Sequence, residues 1–504
     1  MANTSQKIEQ IVDLIEKEAY FTINRPRQFG KTTTLDLLWN RLDEQYLVLS
    51  LSFEGVGISS YVDECSFIKM LQEKLREELE MIDDARLLGL IDEMQVLNDF
   101  NELNRFISKF VKTSKKEVIL MIDECDDSSN NDVFLSFLGL LRRKYQLRTR
   151  GRDVTFKSVI LAGVHDIKNL RYRVRGSGEN YNSPWNIATE FNINMSFNVL
   201  EIESLLLDYL SEHPDVKMDV AVIASKLYYF THGYPFFVSY LCKMIDEQFS
   251  NDDKWNVHNL EKVVNELLVT ETTNFESLIK NIQNHKDLEN IVKMILIDGE
   301  TISYGNSAPA IKKGLIYGIF ARSKDNKLII NHPIYEMKIY QYLTEKMKTN
   351  HVGLLKNQRG FNYTNPDQSL NMPLILEKYS KYLEELRDDH QDEFIENNAR
   401  LLFSIFIKPV INGVGFIYRE AVTSDRKRLD VLITYHQFKY VIELKIWDGE
   451  SYYRQAQEQL ADYLERERLE VGYMIVHDFR KKQYKRFTSE KLSVNGKELK
   501  IYFV

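Results

Sequence analysis

Two periodicities alternate along the chain. Short, nearly continuous apolar runs at residues 19–24 (AYFTIN), 46–53, 156–163 and 193–197, with KKEVILMIDECDD ending its own run at Asp123-Glu124, read as buried strands. The segments between them repeat apolar positions every three to four residues, as helices do. Over residues 1–200 this alternation predicts a parallel sheet covered on both faces, with ligands at the carboxyl ends of its strands. Residues 201–285 carry helical periodicity alone, and residues 286–350 read as two helices followed by two strands, GIFARS and KLIIN. Periodicity fails over residues 351–374, where Asn, Gly and Pro accumulate, and a linker is expected there. Residues 375–504 form a further α/β domain: a long helix to about residue 408, strands at 415–422, 428–435, 439–446 and 472–479, a helix at 451–468, and a strand at 497–504 that closes the sheet.

The chemistry of that last domain follows from strand alternation. Val441, Glu443 and Lys445 point to one face, and Ile442, Leu444 and Ile446 to the other. A polar turn near residues 436–439 makes a hairpin that brings Asp430 close to Glu443. Two carboxylates on neighbouring strands make a hard-oxygen site suited to Mg²⁺ or Mn²⁺, and Lys445 is placed to steady an attacking water or a developing phosphate charge. A plainer reading of the same residues is a surface ion pair between Glu443 and Lys445. In the next helix Gln455, Gln459 and Tyr463 recur every four residues and line one face. Asp430, Glu443-Leu444-Lys445 and this Q-x-x-x-Y helix resemble the PD-(D/E)XK nuclease superfamily. The resemblance implies a restriction-endonuclease-like fold in which Asp430 and Glu443 ligate the metal, Lys445 positions the water and Gln459 orients substrate or carboxylates. It also implies one more acid from the preceding helix, Glu396 or alternatively Glu393.

The N-terminal third carries a second constellation. AYFTIN is followed by RPRQFGKTT and a helix, the strand–loop–helix context in which a P-loop match has meaning. Backbone N–H groups around Phe29, Gly30, Lys31, Thr32 and Thr33 would bind phosphates, Lys31 would reach the β/γ oxygens, and Thr32 would ligate Mg²⁺. The first glycine of the motif is replaced by Arg25, so Arg25 or Arg27 is expected to contact phosphate or another element. Asp123-Glu124 resembles a Walker B pair: Asp123 holds Mg²⁺ through water, and Glu124 polarises the hydrolytic water. No N-K-x-D segment is present, which favours ATP over GTP. A polar sensor is sought at His165 or Asp166, and a basic loop at Arg171, Arg173 and Arg175. Thr231-His232-Gly233-Tyr234-Pro235 resembles the G-x-P element of a helical lid, read as a rigid hinge or a nucleotide sensor. The paired helices and hairpin of residues 286–350 resemble a winged helix.

Composition sets the outer bounds. At 504 residues the chain holds about three domains of ordinary size, and 28% charged residues mark it as soluble. The net charge of −8 argues against a surface coated for nucleic acid while permitting local basic patches such as residues 480–486, RKKQYKR. Three dispersed cysteines, Cys65, Cys125 and Cys242, suit a reducing cytoplasm and offer neither a zinc site nor a disulfide framework. No run approaches the ~18 apolar residues of a membrane span. The order of RPRQFGKTT, LMIDECDD, YNSPWNIATEF, HPIYEM and RLDVLITY through QLADYL resembles the bacterial and archaeal family that joins an AAA-like (STAND-type) ATPase to a PD-(D/E)XK domain. That resemblance implies ATP and Mg²⁺ as cofactors and an ATP-regulated nuclease in phage defence or mobile-element biology. Its implied partners are nucleic acid, DNA ahead of RNA, and further copies of itself, with Arg142, Arg143 or Arg148 supplied in trans. The competing expectation is a nucleotide-switched binding module that does not cut.

Overall fold

The computed structural model describes residues 2–82, 84–125, 131–164, 171–173, 180–182, 184–250, 253–296, 300–305, 308–350, 363–388, 402–404, 406–408, 410–411, 415–418, 431–479 and 488–504. The chain divides into two compact units, Met1–Asn281 with Gly305–Arg322, and Ile282–Tyr304 with Ser323–Val504.

The first unit is built on four parallel strands, β1 (Tyr20–Asn24), β2 (Leu47–Ser52), β3 (Val118–Asp123) and β4 (Ser158–Gly163), in the order β1-β4-β3-β2. Asn24 pairs with Gly163 and Ser52 with Asp123, so these strand ends share one edge of the sheet. Both β3 and β4 are buried at every residue, as expected of strands covered on two faces. Phe53, Phe67, Phe134 and Phe137 are fully buried together, each contributing roughly 1.5–3 kcal/mol of apolar burial. Among the described residues the short pair β5 (Arg171–Arg173) and β6 (Asn180–Asn182) comes next, and helices follow it. They include Val199–Glu212, Val220–Thr231, Pro235–Gln248, Val257–Val269 and Thr273–Asn284.

One expected strand is absent. Residues 193–197 join no ladder, because their backbone groups are taken elsewhere: the Ile193 carbonyl by Arg25 (2.6 Å), the Ser196 carbonyl by Lys7 (2.7 Å), and the Phe197 N–H by the Gly233 carbonyl (2.8 Å). The outer edge of β1 is met by Thr189 instead, through a single bridge to Phe21. The strands β7 (Phe320–Arg322) and β8 (Leu328–Ile330) correspond to the GIFARS and KLIIN runs.

The second unit centres on a six-stranded mixed sheet: β9 (Gly415–Tyr418), β10 (Val431–Tyr435), β11 (Phe438–Ile446), β12 (Val471–His477), β13 (Thr488–Val494) and β14 (Lys497–Phe503), ordered β13-β14-β12-β11-β10-β9. From β9 to β11 the pairing is antiparallel, and β11, β12 and β14 run parallel. The helix Met372–Asp388 supplies Tyr379 to a core that also holds Phe403, Phe406, Ile442 and Ile475. On the opposite face lies the helix Glu450–Arg466, which approaches so closely that a Cβ at Gly472 would sit 2.8 Å from Leu464 Cδ1. The strand at 497–504 does not close the sheet as expected, since β13 pairs along its outer side. Among the described residues no helix is long and apolar enough to cross a membrane.

Candidate functional site

The loop after β1 leads into the helix Lys31–Leu42, whose N-cap Gly30 is left-handed at φ 76°. Gln28 is left-handed as well, at φ 56°, a conformation uncommon outside glycine. Lys31 is 5% exposed, and its ammonium donates to the carbonyls of Arg25 (3.3 Å) and Pro26 (3.2 Å). Thr32 Oγ1 donates to Asp123 Oδ2 at 2.6 Å, and the other oxygen of Asp123 accepts the Glu124 N–H at 2.8 Å. Sequence-distant residues are thereby brought to one point at the carboxyl edge of the sheet. A hydroxyl and a carboxylate so placed are both hard-oxygen donors, the type that Mg²⁺ takes. Glu124 itself is held at φ 53°, a strained position for a non-glycine residue beside such a site.

A cleft of about 440 Å³ opens over this point. Gln28, Lys31, Thr32, Thr33 and Glu124 give it polar lining, and Ile8, Ile11, Met195, Phe197 and Leu205 apolar lining. Phosphates suit the first set and a flat heterocyclic base the second. The N-terminal helix Ser5–Glu16 was not expected at the site. It buries Ile8, Ile11, Val12 and Ile15, and Lys7 on the same helix holds Glu201 Oε2 at 2.6 Å. The only signal in the sequence was that apolar stripe, which any core-facing helix would show.

The two arginines of the loop lie differently from Lys31. Arg25 donates to the Asn24 carbonyl (2.7 Å) and the Ile193 carbonyl (2.6 Å), lies over the Phe191 ring, and is not among the residues lining the cleft. Of the two roles expected for it, contact with another element is the one this geometry displays. Arg27 is exposed, and its carbonyl accepts the Tyr234 hydroxyl at 2.6 Å. Phe29 is buried edge-on against Tyr234, their ring centroids 4.7 Å apart.

Tyr234 belongs to the segment 231–235, expected as a lid element. His232 and Gly233 are both left-handed, and a Cβ on Gly233 would lie 1.8 Å from the Phe197 carbonyl oxygen, so only glycine fits. Pro235 then starts the helix Pro235–Gln248, and Pro235, Phe236 and Ser239 line the cleft. Arg148, a candidate for action in trans, is committed within its own unit to the carbonyls of Lys157 (2.7 Å) and Glu18 (2.9 Å). His165, Asp166 and Arg175 lie outside the described residues, as does the basic run 480–486.

In the second unit, Glu443 and Lys445 share the face of β11 that the alternation predicts. Lys445 Nζ lies 2.7 Å from Glu443 Oε1, with the glutamate side chain 2% and the lysine side chain 13% exposed. The pair is therefore buried rather than the surface contact of the plainer reading. Lys445 also sits over the Tyr452 ring, 5.6 Å from its centroid. Asp430, Glu393 and Glu396 lie outside the described residues; the ladder of β10 and β11 is described as far as Val431 opposite Ile442. Among the described residues no group of three or more His, Cys, Asp or Glu is placed to hold a metal. On the helix Glu450–Arg466, Gln455 is exposed, Gln459 half-buried and Tyr463 buried, so the three do not share one environment. The buried polar residue of that helix is Gln457, and Tyr453 one turn earlier donates to Glu490 on β13.

No family model matches the chain, and no curated protein matches it. Among solved structures it is similar to a Walker-type ATPase of Pyrococcus abyssi, at 14% identity over 67% of this chain and 96% of that one, with a TM-score of 0.44. It is also similar to the ORC1 protein of Aeropyrum pernix in complex with DNA (12% identity, 70% and 94% covered, TM-score 0.32). The Aeropyrum pernix ORC2 protein, solved as ADPNP-ADP complexes, gives 10% identity, 68% and 93% covered, and a TM-score of 0.36. At these values the functional reading rests on the geometry of the site itself.

Proposed function

We propose that the first unit binds and hydrolyses ATP with Mg²⁺. The single observation that carries this is the Thr32–Asp123 contact of 2.6 Å beside a buried lysine at a helix start. In this reading Lys31 and the loop N–H groups take the phosphates, Thr32 and Asp123 hold the metal directly and through water, and Glu124 polarises the attacking water. Bound Mg²⁺ would neutralise charge developing on the phosphates. Calorimetric titration of Mg²⁺·ATP into the parent and Lys31→Ala tests it; equal uptake by both would remove the proposal.

For the second unit we propose phosphodiester cleavage in nucleic acid, with Glu443 and Asp430 as metal ligands, Lys445 placing the water and Gln459 orienting the site. Support comes from the shared face and close approach of Glu443 and Lys445. The same contact also favours a second reading, a nucleotide-switched nucleic-acid- or protein-binding module, because Lys445 already neutralises the glutamate that a metal would need. Cleavage of DNA and RNA with Mg²⁺ or Mn²⁺, with and without ATP, separates the two. Activity lost in both Asp430→Ala and Lys445→Ala supports the nuclease; no activity in the parent under any condition leaves the binding module.

A further inference from the structure

The phosphate loop carries Arg25 where a glycine ordinarily opens it, and its course is fixed from the lid. Tyr234 is 1% exposed. Its hydroxyl donates to the Arg27 carbonyl at 2.6 Å and accepts from Asn274 Nδ2 at 3.4 Å, and its ring closes on Phe29. Among the described residues every peptide is trans. Across a trans peptide the carbonyl and the following N–H point in opposite directions, so anchoring the Arg27 carbonyl also fixes the direction of the Gln28 N–H. Gln28 lines the cleft at φ 56°, a conformation its surroundings must sustain, and its side-chain amide is tied to Thr273 Oγ1 at 3.2 Å. Successive backbone N–H groups around a left-handed residue form a concavity suited to anions.

We propose that Tyr234 is a positioning residue for the nucleotide: its hydroxyl turns the 27–28 peptide so that the Gln28 N–H faces the phosphates. A loop opened by glycine reaches such a shape through its own backbone freedom, whereas this one receives it from a side chain 207 residues downstream. The inference rests on the nucleotide reading of the first unit.

The test is calorimetric titration of Mg²⁺·ATP into the full-length parent and Tyr234→Phe, with melting curves recorded without nucleotide. Phenylalanine keeps the ring packing and removes only the hydroxyl. The expected result is affinity weakened about tenfold, with the nucleotide-free melting temperature lowered only slightly, as the loss of one hydroxyl's bonds requires. Asn274→Ala, which removes the donor on the far side of the hydroxyl, shifts affinity in the same direction by a smaller factor. Equal affinity in parent and Tyr234→Phe overturns the assignment. A loss of affinity that disappears below the variant's own lowered melting temperature, where its fold is intact, also overturns it, since that marks a contact serving the fold alone. A parent protein that takes up no ATP removes the nucleotide reading and this proposal with it, an outcome distinct from a parent that binds and a Tyr234→Phe that binds equally well.

Discussion

Thr32 Oγ1 and Asp123 Oδ2 lie 2.6 Å apart although ninety-one residues separate them in sequence. In the proposed site one would supply a direct oxygen for Mg²⁺ and the other would orient its water, so neither would substitute for its partner. Thr32→Ala and Asp123→Asn are each expected to lower Mg²⁺-dependent ATP hydrolysis by roughly 10²-fold, read as phosphate release across a magnesium titration. A variant with the parental magnesium response would show that its residue does not serve the metal.

Glu124 follows Asp123 at φ 53° and lines the cleft. Its carboxylate is assigned to the attacking water and not to the phosphates. Glu124→Gln is therefore expected to keep ATP affinity while slowing single-turnover hydrolysis by about 10²–10⁴-fold. Undiminished turnover would place the general base elsewhere.

Gly233 has no room for a side chain: its Cβ would meet backbone, the Phe197 carbonyl, at 1.8 Å. Backbone cannot rotate aside as a side chain can. Gly233→Ala is expected to lose about 3 kcal/mol or more in urea unfolding and to weaken ATP binding together with it, because Phe197 also lines the cleft. Parental stability in this variant would contradict the packing described.

Glu443 is almost fully buried, and Lys445 is its ion-pair partner at 2.7 Å. Removing one partner of a buried pair leaves an uncompensated charge, at a cost of about 3–5 kcal/mol. Lys445→Met is expected to lower stability by that order in urea unfolding, and the double change Lys445→Met with Glu443→Leu to recover most of it. Single and double variants of equal stability would show that the two charges are solvated independently.

Glu289 lies between Lys346 (2.7 Å) and Lys293 (3.2 Å). Burial alone would raise its pKa, but hydrogen bonds from Lys346 and Lys293 hold it below the ordinary 4.5. Its contribution to stability is thus present above pH ~4.5 and is lost as pH falls through the lower folded value. Lys346 is raised above its ordinary 10.5, first by its hydrogen bond to Glu289, so its share is present below that pH and lost as pH rises past it. Melting temperature against pH should flatten on both limbs in Lys346→Met; a profile superimposable on the parent would exclude this pair as a source of pH dependence.

Much of the layout was legible because local chemistry and tertiary placement agree. A glycine-lysine-threonine helix start after an apolar strand has few other uses, and an aspartate ending a fully buried strand needs a partner nearby. The alternation of β11 gave the shared face of Glu443 and Lys445 directly. Strand β13 was missed because only one side of it is covered, and its sequence TSEKLSV reads as a polar loop. Residues 193–197 misled in the opposite sense: their apolar side chains turn inward as a strand's would, while their peptide groups are satisfied by Arg25, Lys7 and Gly233. No pattern in the sequence pairs Tyr234 with Arg27, because a hydroxyl-to-carbonyl bond places no demand on the identity of the residue that accepts it.

The lining of the cleft by Leu205, Pro235, Phe236 and Ser239 bears on how this molecule can be dissected. A cut at residue 200, where strand-and-helix alternation gives way to helices alone, would divide the residues that line the cleft. A fragment ending there keeps the four parallel strands and loses a wall of the chamber. If the proposed role of Tyr234 holds, the helical segment is not an exchangeable module: one grafted from another protein would have to bring its own tyrosine to the same carbonyl.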